Sequence, residues 1–187
     1  MSNKMLCIGD SNTYGYDPRS YVGSRYPEGI RWTSRLDGWA VVNRGLNGMK
    51  VPLSAERHAG IIRAEEPDIV TVMLGTNDIL SGVGAEQTAV RMEEFIIHIK
   101  AVCKKILIIS PPYLELGEWV QDEDYIEESY ELAEHMQGVA KRQGCMFADA
   151  ADWDIELSYD GVHFSEAGHI AFAERIMNII GGALAAS

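Results

Sequence analysis

The sequence predicts an α/β fold in which a parallel five-stranded sheet is covered by helices on both faces. Two observations lead to this prediction. Five short apolar segments are spread along the 187 residues, and stretches with helical periodicity lie between them. Strands that are apolar on both sides need cover on both faces, and strands separated by helices pair in parallel. The expected architecture is therefore a three-layer α/β/α sandwich.

The strand candidates are only four to six residues long, which favours strands over helices. They are Met5–Gly9, Ala40–Asn43, Ile69–Leu74, Ile106–Ser110 and Cys145–Ala148.

Three later segments carry apolar residues at three- and four-residue steps, the pattern of one helix face. These residues are Ala89, Met92, Ile96, Ile99 and Cys103 in the first segment, Ile126, Tyr130, Ala133, Met136 and Ala140 in the second, and Ile170, Ala173, Ile176 and Ile180 in the third. Asp124, with Glu127, is expected to cap the second helix, and Ser165 the third.

Length and composition limit the classes of protein to be considered. A chain of 187 residues suggests a single domain over residues 1–187. The net charge of -12 argues against nucleic acid and anionic membrane as partners, because both attract Lys and Arg. No apolar stretch reaches the 18 or so residues of a membrane span, and the segment after Lys4 is too short for a signal peptide.

The cysteines and acidic residues do not form a pattern that requires a metal or a disulfide. Cys7, Cys103 and Cys145 are far apart and include no C-x-x-C pair, which indicates buried free thiols in a reducing compartment. We therefore expect a cytoplasmic protein. The acidic segment from Asp149 to Glu156 fails the calcium-loop pattern, and no phosphate-binding loop is present, so no metal or cofactor is expected.

Polar residues and glycines follow the predicted strands at their carboxyl ends. Ser11 follows the first strand, Gly45 the second and Asn77 the third, and a loop after the fifth strand contains Asp160 and His163. Ligands bind beyond this edge in parallel sheets. We therefore expect these five residues to lie at one edge of the sheet.

These residue types suit nucleophilic catalysis. A serine needs an adjacent base, which His163 can provide, and Asp160 can accept the proton on the other ring nitrogen. An oxyanion needs preorganised donors, for which the Gly45 backbone N–H and the Asn77 amide are candidates, with the Ser11 N–H as a third. Ser11 alone could equally be a helix cap; the presence of all its partners favours the nucleophile.

Four short motifs resemble those of the SGNH (GDSL-type) hydrolase family. They are GDSN at Gly9–Asn12, NRGLNG at Asn43–Gly48, GTND at Gly75–Asp78 and DGVH at Asp160–His163. The resemblance implies a flavodoxin-like sheet, Ser11 as nucleophile, Asp160 and His163 as the rest of the triad, and Gly45 and Asn77 as oxyanion donors. Asn12 stands where the family commonly has Leu. The segment Ser24–Leu36 is also similar to bacterial arylesterases and acyltransferases of this family, which makes a homo-oligomer plausible.

The expected function is a serine esterase that hydrolyses small neutral esters of short acyl groups. A carbohydrate O-acetyl esterase, and an acyltransferase or thioesterase, remain alternatives, and a binding module without catalysis is disfavoured by the complete triad. The acidic loop Tyr113–Glu123 is expected to border the site and to disfavour anionic substrates. His58, His98, His135 and His169 are expected to be surface or capped histidines.

Overall fold

The sheet has the predicted architecture. The structure, a computed structural model, describes residues 3–20 and 22–185. Its strands are β1 (Asn3–Gly9), β2 (Trp39–Gly45), β3 (Ile69–Met73), β4 (Ile106–Ser110) and β5 (Met146–Asp149). They form a five-stranded sheet in the order β2-β1-β3-β4-β5 with parallel pairing throughout. This order is that of flavodoxin-like folds.

Helices connect the strands, and the three longest are those that the sequence predicts. In chain order they are α1 (Ser11–Tyr14), α2 (Glu56–Glu65), α3 (Thr76–Ile79), α4 (Ala85–Lys100), α5 (Glu123–Gln143) and α6 (Glu166–Ala185), with 3-10 turns at Trp32–Ser34 and Ala150–Trp153.

The two predicted helix caps have different outcomes. Ser165 caps α6 as predicted, because its Oγ accepts a hydrogen bond from Gly168 N at 3.0 Å. The prediction for α5 is wrong: its cap is Asp122, whose carboxylate accepts from Asp124 N at 3.1 Å. Asp124 already lies in the first turn, where its own N–H needs an acceptor two residues earlier.

Alternate residues of the strands pack into two separate cores. Leu6, Ile8, Val70 and Val72 face α2, α4 and α5, whereas Met5, Cys7 and Leu107 face α6 and the Trp32 turn. Both faces of the inner strands β1, β3 and β4 are therefore buried, which explains their continuous apolar sequences, whereas the edge strands β2 and β5 are mostly half-buried.

The thiols are free in the described part of the chain. Cys7 and Cys103 are buried as expected, but Cys145 is only partly buried, because it lies just before the first residue of β5, a strand at the edge of the sheet. Burial raises the pKa of the Cys7 thiol to about 12, so this thiol is unreactive. Across residues 3–20 and 22–185, the helices are all too short or too polar to span a membrane.

Candidate active site

Ser11, His163 and Asp160 form a continuous line of hydrogen bonds at the carboxyl edge of the sheet. His163 Nε2 lies 2.9 Å from Ser11 Oγ, and His163 Nδ1 lies 2.7 Å from Asp160 Oδ2. Ser11 begins α1 directly after β1, while the other two residues belong to the loop between β5 and α6. All three side chains are buried. The fold thus brings together residues that are about 150 positions apart, at a distance suited to proton transfer.

The turn at the start of α1 shows that Ser11 is not the cap of its helix. Asp10 is the cap, because its Oδ1 accepts a hydrogen bond from Asn12 N at 3.0 Å. The Ser11 hydroxyl is therefore left to His163. The turn is closed at its other end by Gly15, whose φ of +88° is a left-handed conformation that glycine adopts without strain.

The carboxylate of Asp160 stabilises the conformation of its own loop and also orients the imidazole ring of His163. Its Oδ1 accepts hydrogen bonds from Val162 N at 3.0 Å and His163 N at 2.9 Å, which leaves Oδ2 for His163 Nδ1. Burial raises the pKa of Asp160, but the hydrogen bonds and the charge of His163, with the Val162 N–H, outweigh it and leave the pKa below its usual value. Asp160 is therefore a carboxylate at neutral pH, as an orienting acceptor must be.

Asn12 connects the turn at Ser11 to the loop between β5 and α6 that contains Asp160 and His163. The sequence does not reveal this role. Its Nδ2 donates to Val162 O at 3.0 Å, and its Oδ1 accepts from Phe164 N at 2.9 Å. These two bonds fix the backbone on both sides of His163 and so maintain the distance between the His163 ring and Ser11. The sequence did show that Asn12 departs from the Leu common at this position. It could not show the hydrogen-bond partners of Asn12, because they lie about 150 residues away.

Asn77 lies at the same edge, at the start of α3. Its Nδ2 is 3.2 Å from Met49 O and 3.5 Å from Asp10 Oδ2. Burial raises the pKa of Asp10 to about 6, against the opposing effects of the Asn12 N–H and the charge of His163. Asn77 also lines a pocket of ≈ 410 Å³ that it shares with Gly48, Lys50 and Trp119.

The geometry does not support Gly45 as an oxyanion donor. Its N–H already donates to Asn43 Oδ1 at 2.8 Å. A Cβ at this position would come within 2.6 Å of Thr13 C and closer still to Tyr14 N, so glycine here allows β2 to approach α1. Gly48, three residues later, lines the Asn77 pocket, and its N–H makes no hydrogen bond to another described residue.

Two aromatic rings and the acidic loop border the imidazole. The rings of Tyr16 and Trp119 lie 4.7 and 4.9 Å from that of His163, and Trp119 is 52% exposed. Backbone hydrogen bonds from Glu115 N to Gly161 O and from Trp119 N to Asp160 O hold the acidic loop Tyr113–Glu123 against the loop that contains His163. The expectation that this loop borders the site is confirmed.

His169 corrects the prediction that the other four histidines are surface or capped residues. It is fully buried between Tyr26 and Phe164, and neither ring nitrogen has a hydrogen-bond partner in the described part of the chain. Burial lowers its pKa to about 3, so the ring is neutral. Its place on the α6 face that packs against the core was not evident from its polar type.

The fold and this site define an SGNH-type α/β hydrolase. Within residues 3–20 and 22–185, no three His, Cys, Asp or Glu side chains are grouped so that they could hold a metal ion.

Comparison with known proteins identifies the family. The model of the GDSL-like lipase/acylhydrolase family matches residues 7–171, and the chain belongs to this family. It is therefore an ester-hydrolysing enzyme. The chain is 26% identical to an acetylxylan esterase of Geobacillus stearothermophilus, over 95% of this chain and 94% of that protein.

Solved structures show the same fold. The M. smegmatis aryl esterase is 26% identical, with a TM-score of 0.80 over 95% of this chain and 99% of that one. Est24, a carbohydrate acetylesterase from Sinorhizobium meliloti, is 24% identical, with a TM-score of 0.82 over 97% of this chain and 99% of that one.

Proposed function

We propose that this enzyme is a serine esterase that forms an acyl-enzyme on Ser11. The observation that carries the proposal is the line of hydrogen bonds from Ser11 Oγ through His163 to Asp160, at 2.9 and 2.7 Å. With Asp160 accepting from Nδ1–H, Nε2 is free to accept the serine proton as Oγ attacks the ester carbonyl. The same nitrogen then protonates the leaving alcohol, and a water repeats the cycle to release the acid.

The oxyanion formed at each step needs hydrogen-bond donors close to Ser11. We assign this role to the Ser11 backbone N–H, the Asn77 amide and the Gly48 backbone N–H. Gly48 replaces Gly45 because the single N–H of Gly45 is used in a 2.8 Å bond to Asn43. The Asn77 amide carries two hydrogens, and its contacts are longer, at 3.2 Å to Met49 O and 3.5 Å to Asp10 Oδ2, so it can turn one N–H to an oxyanion in the pocket that it shares with Gly48. Three donors from three loops are preorganised by the sheet, which is what makes such a site effective.

Asn77→Ala tests this assignment. Loss of one oxyanion donor is expected to lower kcat by about 10²–10³ with little change in KM, because the donor acts on charge that develops only in the transition state. Steady-state kinetics on a phenyl ester measures both constants. Asn47→Ala, an exposed asparagine of the neighbouring turn, serves as the matched control. A change in KM alone would assign Asn77 to substrate positioning.

The acyl group that we propose is short and uncharged. The rings of Tyr16 and Trp119 lie 4.7 and 4.9 Å from that of His163 and so narrow the space around the reacting carbonyl. Acetyl and butyryl esters of one phenol should therefore exceed the palmitoyl ester in kcat/KM by about tenfold or more. A series of chain lengths measures this preference, with Ser11→Ala as background. Fastest turnover of the longest chain would refute it.

Carbohydrate O-acetyl esters are the second candidate substrate. The half-exposed indole of Trp119 beside His163 offers an apolar face on which a sugar ring can stack. The similarity to an acetylxylan esterase supports this candidate. Acetylated xylosides belong in the same substrate series, where Trp119→Ala should raise their KM more than that of phenyl acetate. Transfer of the acyl group to an added alcohol would be measured in the same assays.

We also propose that the enzyme acts in the cytoplasm on small-molecule esters without a metal or cofactor. Free thiols at Cys7, Cys103 and Cys145 support a reducing compartment. The net charge of -12 supports the absence of nucleic-acid and membrane partners.

A further inference from the structure

We propose that the alcohol part of the natural ester carries an anionic group, such as a carboxylate, which binds between Lys50 and Arg57 in a groove beside the oxyanion donors. The inference rests on the serine esterase function proposed above and adds the chemical class of the substrate. Because the acyl group is short, only the alcohol part is long enough to reach beyond the reacting carbonyl into this groove.

The groove consists of two adjacent cavities that share Lys50 as a lining residue. Lys50 lines the pocket that contains Asn77 together with Gly48, and it also lines a second cavity of ≈ 430 Å³ between the end of β2 and α2. The cations of the second cavity are Arg44, Lys50 and Arg57; His58 also lines it, but burial, with the charge of Arg57, lowers the pKa of this ring and keeps it neutral. Lys50 lines both cavities and Arg57 only the second, so a ligand with its carbonyl at Asn77 can place an anion between them when it extends toward α2.

Two of these cations have no carboxylate partner among the described residues. Arg44 is already paired, because its guanidinium lies 2.7 Å from Glu65 Oε1. Neither Lys50 nor Arg57 forms an ion pair within residues 3–20 and 22–185, although acidic side chains outnumber basic ones by 28 to 16 in the chain. Other cations of the described chain are also unpaired, but Lys50 and Arg57 line the same cavity, so both can bind one anion there.

The buried carboxylate of Asp78 forms no hydrogen bond or ion pair with Lys50 in the described part of the chain. Burial raises the pKa of Asp78, and Lys50 is one of the groups that oppose this rise. However, Asp78 Oδ1 is bound by Arg91 at 3.1 Å and Oδ2 by Val51 N at 2.8 Å. Both carboxylate oxygens already have partners, so the Lys50 ammonium remains free to bind a ligand.

The start of α2 adds to the positive potential of the groove. This ten-residue helix has no side-chain cap at Ala55, and its first turn supplies both Arg57 and His58. The unsatisfied N–H groups and the dipole at a helix N-terminus favour an anion. Glu56, on the same turn, is the acidic neighbour that works against it.

Negative and positive side chains lie on opposite sides of the site, so the orientation of a charged substrate matters. The acidic residues Glu115 and Glu118 lie on the loop that packs against Gly161 and Tyr159, whereas Lys50 and Arg57 lie by the β2 end of the sheet. The sequence-based expectation that anionic substrates are disfavoured considered only the acidic loop. An anion on the alcohol part is attracted when it points toward α2 and repelled when it points toward the loop.

A pair of esters that differ in one charge tests the proposal. 4-Acetoxybenzoate carries the anion, and 4-acetoxy-N-methylbenzamide is its neutral counterpart. We expect the wild type to prefer the anion in kcat/KM, and Lys50→Gln/Arg57→Gln to lower the anion-to-neutral ratio by about tenfold, mainly through KM. The ratio cancels any general loss of activity. Arg63→Gln, an exposed cation of α2 outside the groove lining, is the matched control and should leave the ratio unchanged.

Added salt should lower the wild-type ratio and have less effect on the double variant, since exposed charge pairs are screened. An equal ratio in the wild type, the double variant and Arg63→Gln would overturn the proposal. Binding of 4-hydroxybenzoate to Ser11→Ala, measured by calorimetry with and without the two substitutions, decides the matter without turnover. If no ester is hydrolysed but this binding depends on Lys50 and Arg57, the serine esterase function fails and the anion site stands.

Discussion

Replacing Ser11 by alanine is expected to lower kcat for ester hydrolysis by more than about 10⁴, and His163→Ala by a similar factor. In the proposed mechanism the two residues share one step, in which His163 Nε2 takes the proton of Ser11 Oγ across the 2.9 Å that separates them. The double variant should therefore lose little more than either single variant. Steady-state kinetics with a phenyl acetate, extended to single turnover for the slow variants, measures these losses.

Covalent labelling supplies the control for this prediction. A fluorophosphonate should label the wild type at Ser11, which peptide mapping by mass spectrometry locates, and should not label Ser11→Ala. Ser34→Ala, at an exposed serine of a surface turn, should retain both labelling and activity. Additive losses in the double variant, or a label on another serine, would contradict the assigned roles.

Asp160→Asn is expected to lower kcat by about 10⁴ while keeping the loop intact. The amide retains an oxygen for Val162 N and His163 N, which now meet Asp160 Oδ1 at 3.0 and 2.9 Å. Its NH₂ group, however, faces His163 Nδ1 as a donor, so the ring proton moves to Nε2. That nitrogen can then no longer accept the proton of Ser11. Activity within tenfold of wild type would contradict this role.

The same substitution predicts a pH dependence of stability. The folded-state pKa of Asp160 lies below the ordinary value of 3.8, so its ionised form stabilises the fold. This contribution is present above the unfolded pKa and is lost as pH falls through the folded pKa. The wild type should therefore exceed Asp160→Asn in free energy of unfolding at pH 7, and the difference should shrink in acid. Chemical denaturation at several pH values measures it; a difference that grows below pH 4 would contradict the assignment.

Several elements of the site could be predicted because their signals are local. The five strands are short apolar runs, and the three long helices show one apolar face, so their order implied a parallel sheet covered on both sides. A parallel sheet collects the carboxyl ends of its strands at one edge. The prediction that Ser11, Asn77, Asp160 and His163 would meet there needed no further information about packing.

The features that the sequence did not predict depend on partners distant in sequence. Our proposal of Gly48 in place of Gly45 depends on the bond of the Gly45 N–H to Asn43, and on the close passage of β2 past Thr13 and Tyr14, which requires a glycine at position 45. The sequence also could not show that Asn12 grips Val162 and Phe164, or that His169 is buried between two aromatic rings.

The sequence by itself determined the α/β class, the family motifs and the residues that we propose as nucleophile, base and acceptor, because periodicity and short motifs depend on neighbouring positions. Only the tertiary structure decided which backbone N–H groups are unused and which charges are unpaired. Lys50 and Arg57 are ordinary surface cations in the sequence and line one groove beside Asn77 in the fold. Hydrogen-bond satisfaction and electrostatic potential depend on all neighbours in space, and most of those neighbours are far away along the chain.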